Sequence, residues 1–149
     1  MKKLLGFAAL LVLGLVTLAP TYVGAGSALP LGTNQCVNLL SAENPTSGAF
    51  SQQVYIQPSN SQPTANLSFE FRFAASPGAM NYQIQDADTD ATGNYVTLPT
   101  AGTVTSCPVT AGGSYTCRVE LNPFRALYAR IYTNAQNANA VNLTVQVCR

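Results

Sequence analysis

Histidine and tryptophan are absent from the chain, and lysine occurs only at Lys2 and Lys3. Those gaps exclude much of the usual nucleophilic chemistry. Without a histidine base there is no Ser-His or Cys-His pair, and without an interior lysine there is no Schiff base. Charge is also scarce, at 9% of residues. Beyond residue 25 the basic groups are Arg72, Arg118, Arg125, Arg130 and Arg149, set against six acids, for a net charge of −1. A surface this close to neutral gains little from counterion release, so nucleic acid is not an expected partner. It also lacks the basic patch that would hold it on an anionic membrane.

The first 28 residues are unlike the rest. Met1-Lys2-Lys3 precede an uncharged run from Leu4 to Ala19, followed by Pro20 and the small residues Val23 to Ala28. A basic start, an apolar run of about 15 residues and a small-x-small site make up a secretory signal peptide. The run is short for a bilayer span, which needs about 20 apolar residues. Cleavage is expected after Ala25 or after Ala28, with Ala25 favoured because Val23 and Ala25 suit the two recognition positions. The favoured site divides the chain into a signal helix (1–25), a linker (26–35) and a domain (36–149). On this reading nothing anchors the mature protein in a membrane.

Four cysteines, Cys36, Cys107, Cys117 and Cys148, lie in the mature part. An even count behind a signal peptide reads as two disulfides, with three pairings open in principle. Spacing favours Cys107–Cys117, since Gly112-Gly113 between them marks a hairpin turn. Cys36–Cys148 then joins the first strand to the last. Four thiolates without a CxxC pair make a poor zinc site.

The mature sequence reads as short strands between polar turns. Phe50 to Gln57, Ala65 to Ala74, Met80 to Asp86, Tyr95 to Leu98, Thr103 to Cys107, Ser114 to Leu121, Leu127 to Thr133 and Val141 to Val147 give about eight. The clearest has Leu67, Phe69, Phe71 and Phe73 on one face and Ser68, Glu70 and Arg72 on the other. Asn122-Pro123-Phe124 is expected to break the chain. No helical period appears after the signal segment. The expected fold is an all-β antiparallel sandwich, immunoglobulin-like or jelly-roll.

Three constellations invite a functional reading. The carboxylates of Asp86, Asp88 and Asp90, with the Asn94 carbonyl oxygen, alternate in a way that can converge on calcium, although the EF-hand positions for Gly and Glu are occupied by Ala91 and Thr97. The competing reading is a turn whose Asp and Asn side chains bond local backbone. Tyr128, Arg130 and Tyr132 share a strand face and could stack on a sugar ring or a protein partner, or they could simply be packed. Glu70 and Glu120 are conceivable as a hydrolytic carboxylate pair, but Glu70 is better suited to pair with a cross-strand arginine, Arg118 or Arg130. Asn66-Leu67-Ser68 and Asn142-Leu143-Thr144 match the glycosylation pattern.

The Ala74–Gly78 turn, the Tyr82–Gln85 strand, the Gly93–Val96 step and the Ala129–Tyr132 and Val141–Val145 pair resemble, in rhythm, small β-sandwich modules of bacterial surface proteins and of phage tail or neck structures. The resemblance implies a structural or adhesive role. The expectation is therefore a non-catalytic secreted or surface module, with a protein or glycan partner or a second copy of itself, and no cofactor unless calcium. Two alternatives stand beside it: a carbohydrate- or calcium-binding domain, and a virion component that keeps its N-terminal helix, which a cleavable signal argues against.

Overall fold

The computed structural model describes residues 27–57, 65–99, 102–107 and 115–149. Residues 1–26, 58–64, 100–101 and 108–114 lie outside them, and with them the expected signal segment and the expected turn at Gly112-Gly113. The described part is all β, in two packed sheets. The ten strands are β1 (Leu29–Leu31), β2 (Cys36–Glu43), β3 (Val54–Ile56), β4 (Ala65–Phe73), β5 (Asn81–Ala87), β6 (Val96–Thr97), β7 (Thr103–Val104), β8 (Tyr115–Phe124), β9 (Tyr128–Ala135) and β10 (Leu143–Cys148). The first sheet runs β1-β3-β9-β5-β6, with β7 also paired to β5, and the second runs β2-β10-β4-β8.

Alternation dictates what lies between the sheets. From the second sheet come Leu67, Phe69, Phe71, Leu143, Val145 and Val147, and from the first Val54, Tyr82, Ile84, Ala129 and Ile131, all fully buried or nearly so. Burying each of the large side chains stabilises the fold by about 1.5–3 kcal/mol. Tyr82 spans the layers, its ring centroid 6.3 Å from that of Phe71 and 6.1 Å from that of Phe73. A buried hydroxyl needs a partner, and the Asn137 side chain supplies it at 3.0 Å. The same amide bonds the Val141 backbone in both directions, so one residue satisfies the core tyrosine and closes the β9–β10 loop.

Both disulfides form as the spacing indicates, Cys36–Cys148 and Cys107–Cys117, with Cα separations of 4.1 and 5.4 Å. Cys36 and Cys148 face each other directly in the β2–β10 register. Such bridges are more typical of extracellular or periplasmic proteins.

Four features depart from the sequence reading. Two strands were not expected, β1 and β2. β1 lies inside the 26–35 stretch read as linker, runs parallel to β3 and buries Leu31 completely, so the sheets are not purely antiparallel. β2 hides its period because its pairing with β10 shifts register twice and Ala42 takes φ 54°. A bulge of that kind puts Leu39 and Leu40 both inward, against strict alternation. Pro123 does not end its strand. β8 continues to Phe124 through a cis Asn122–Pro123 bond, which is permitted because β8 is an edge strand that needs no donor there. Last, only Val54–Ile56 of the Phe50–Gln57 run is a strand, although Phe50 makes an isolated bridge to Tyr132.

Candidate functional site: the outer face of the first sheet

The strand register places Tyr128, Arg130 and Tyr132 on the solvent side of the first sheet, since Ala129, Ile131 and Thr133 point to the core. Neighbouring strands add to that face. Tyr55 pairs with Tyr128, Gln85 with Arg130 and Gln83 with Tyr132. The rings touch in pairs, Tyr55–Tyr128 at 5.2 Å and Phe50–Tyr132 at 5.1 Å between centroids, both tilted. These are favourable aromatic geometries, and every one of these rings stays half-buried rather than lost in a core.

Arg130 does not project as a free stacking platform. It is only 4% exposed. Its guanidinium carbon lies 3.8 Å from the Phe50 ring centroid and 3.9 Å from that of Tyr95. A cation held against two rings with little water is worth about 2 kcal/mol or more per contact at the upper end. Its Nε also donates to Gln85 Oε1 at 2.9 Å. From there the order continues along the face. Gln85 Nε2 donates to Thr97 Oγ1, and the Thr97 hydroxyl donates to Gln83 Oε1. Arginine, amides and hydroxyl thus form one line across β9, β5 and β6.

The segment after β5 folds against this face through Asp90 and Tyr95. Asp90 accepts from Gln53 Nε2 at 2.9 Å and from the Tyr95 hydroxyl at 3.2 Å, holding Tyr95 over Arg130. Burial is the main reason the Tyr95 hydroxyl titrates far above the ordinary phenol range, with the Asp90 charge adding to it. Asp88 is exposed, and the Asn94 side-chain amide donates to the Thr89 hydroxyl. Asp86 lies elsewhere, at a cleft on the flank of the sandwich, and burial raises its carboxyl above the usual value. Asp86 and Asp90 are thus engaged in different places, and among the described residues no three His, Cys, Asp or Glu side chains gather as a metal-binding group.

No protein-family model, curated protein or solved structure matches the chain. The site must speak for itself. Of its members, Tyr128, Arg130 and Tyr132 were legible as a stripe in the sequence. Phe50, Tyr95 and Gln85 were not, because their proximity depends on which strands become neighbours. Glu70 takes Arg118 as its cross-strand partner at 2.7 Å, and Arg130 is far from it on the other sheet. Glu70 and Glu120 both sit on the outer face of the second sheet, where Glu120 accepts from Ser68 at 2.9 Å.

Proposed function

We propose that the chain is a non-catalytic, secreted or surface-exposed β-sandwich module with an adhesive or assembly role, making contact through the outer face of its first sheet. One observation carries this reading: the half-buried rings of Tyr55, Tyr128, Phe50, Tyr132 and Tyr95 share one sheet face, where Phe50 and Tyr95 clasp Arg130. A face that is aromatic, prefixed by cation–π contacts and flanked by amides has the composition of interface hot spots, and its fixed side chains lose little entropy when a partner arrives. The two disulfides and the charge-poor, hydroxyl- and amide-rich surface fit an extracellular setting. The reading needs the two-sheet architecture and not the finer sandwich type, immunoglobulin-like or jelly-roll.

Binding of labelled protein to the surface of its producing cells, and its self-association by analytical ultracentrifugation, test the proposal. Wild type is expected to bind or self-associate, and a Tyr128→Ser/Tyr132→Ser double variant that keeps the wild-type circular dichroism spectrum is expected to lose at least about tenfold in affinity, the scale set by losing hot-spot rings. Undiminished binding by the variant sinks the assignment of the face. The tyrosine–amide composition favours a second reading, carbohydrate recognition. Selective signals on a glycan array, lost in the same variant, would select it. Mass spectrometry of the native protein, reduced and non-reduced, reads the N-terminus together with the two bridges, and free thiols would overturn secretion.

A further inference from the structure

A cleft of about 360 Å³ opens on the flank where β6, at the edge of the first sheet, faces β8, at the edge of the second. That volume is at the small end of ligand-binding cavities. The cleft is separate from the aromatic face. Leu98, Leu121 and Phe124 form its apolar wall, and Asp86 and Arg125 are among its charged groups.

The two charges differ from the others nearby. Glu120, which also borders the cleft, is already engaged by the Ser68 hydroxyl and lies 3.9 Å from Arg118. Asp86 and Arg125 form no ion pair within 4.0 Å, either with each other or with any other described residue. Asp86 is nonetheless partly desolvated, which is the first reason its carboxyl titrates high. A carboxylate taken out of water without a counter-charge is costly, and a ligand that brings one recovers that cost.

We propose that this cleft binds a small zwitterion with an apolar substituent, the chemistry of a free apolar α-amino acid. Its ammonium meets Asp86, its carboxylate meets Arg125 and its side chain lies along Leu98, Leu121 and Phe124. That the two protein charges are not paired with each other argues for a zwitterion over a simple ion. A bare amine satisfies Asp86 but meets the repulsion of Arg125, and a bare carboxylate meets the reverse. A neutral sugar can hydrogen-bond to both but leaves the desolvated carboxylate without a counter-charge.

Isothermal titration calorimetry on the intact disulfide-bonded protein at low salt tests this with L-leucine as the probe. Comparison ligands are 3-methylbutylamine, which lacks the carboxylate, 4-methylpentanoate, which lacks the amine, and glucose. Leucine is expected to bind, and each truncated analogue to bind at least about tenfold more weakly, since each leaves one charged hydrogen-bonding group unmatched. Asp86→Asn and Arg125→Gln are expected to weaken leucine by a similar factor, and Arg118→Gln, exposed on the outer face of β8, to leave it unchanged. No binding of leucine at millimolar concentration, equal binding of an analogue, or binding of glucose in its place overturns the proposal. Should either cleft variant fail to fold, the ligand series on the wild-type protein decides.

Discussion

The outer faces of the two sheets both carry arginine, Arg72 and Arg118 on the second and Arg130 on the first, yet they use it in opposite ways. On the second sheet Glu70 is held by Arg72 and Arg118, and Arg118 also approaches Glu120, with the Arg118 side chain 60% exposed. On the first sheet Arg130 is enclosed by Phe50 and Tyr95 and bonded to Gln85. Water screens the first arrangement and is excluded from the second. The same side chain is therefore a replaceable surface charge on one face and a structural centre on the other, and the difference lies in the rings that cover it rather than in the arginine.

The largest expected effect concerns the second face, where the covalent bridge rather than the ion pairs carries the stability. Cys36→Ser with Cys148→Ser opens a loop of sequence separation 112 and is expected to cost up to about 4.8 kcal/mol in urea unfolding by the chain-entropy relation, against about 2.8 kcal/mol for the short Cys107–Cys117 loop. Equal losses from the two double variants would show that loop length is not what matters here. Next comes Arg130→Ala, expected to cost about 2–4 kcal/mol through lost cation–π contact and orphaned buried amides. Arg118→Ala, by contrast, should leave the urea midpoint almost unmoved. Similar shifts for the two arginines would erase the distinction between the faces.

Smaller effects sharpen the comparison through pH. The arginine bonds to Glu70, Arg118 first and Arg72 second, hold its carboxyl below its ordinary value of 4.5. A depressed folded-state value contributes stability that is present above 4.5 and lost as the pH falls through the folded value. For a surface pair this amounts to no more than about 1 kcal/mol. Glu70→Gln should remove that part of the acid dependence in thermal melts and leave the neutral-pH melting temperature slightly lower. Asp86 works with the opposite sign, because burial raises its value in the folded state. Its charge opposes folding once the pH rises through that range, so Asp86→Asn is expected to raise the neutral-pH melting temperature slightly. A lower melting temperature would mean that its carboxylate is stabilised by a contact other than those described.

Legibility in the sequence followed how regular each element is. β4 and β10 could be read because every second residue is apolar and every pairing in their shared register is uninterrupted. β2 could not, because two register shifts and a positive φ at Ala42 scramble its period. β1 could not, because three residues including Pro30 carry too little pattern. The disulfides were legible from spacing alone. At the candidate site, period two placed Tyr128, Arg130 and Tyr132 on one face but could not say what covers them. That depended on Phe50 and Tyr95, about 80 and 35 residues upstream by sequence, converging only once β3, β9, β5 and β6 had taken their order. For Asp88 and Asp90, beyond the end of β5, alternation does not fix direction as it does in a strand.

The position of the Cys36–Cys148 bridge has a mechanical consequence. It joins the first residue of β2 to the last of β10, with Gln35 and Arg149 immediately outside and bonded to each other through Arg149 N and Gln35 O. Tension pulling Gln35 and Arg149 apart crosses from one to the other through two sulfur atoms and bypasses everything between. The strands inside the ring bear none of that load, so their hydrogen-bonded sheets are spared it while the bridge is intact. Among the described residues β1, outside the ring, can peel away from β3, a short compliant lead beside a body that the bridge holds closed.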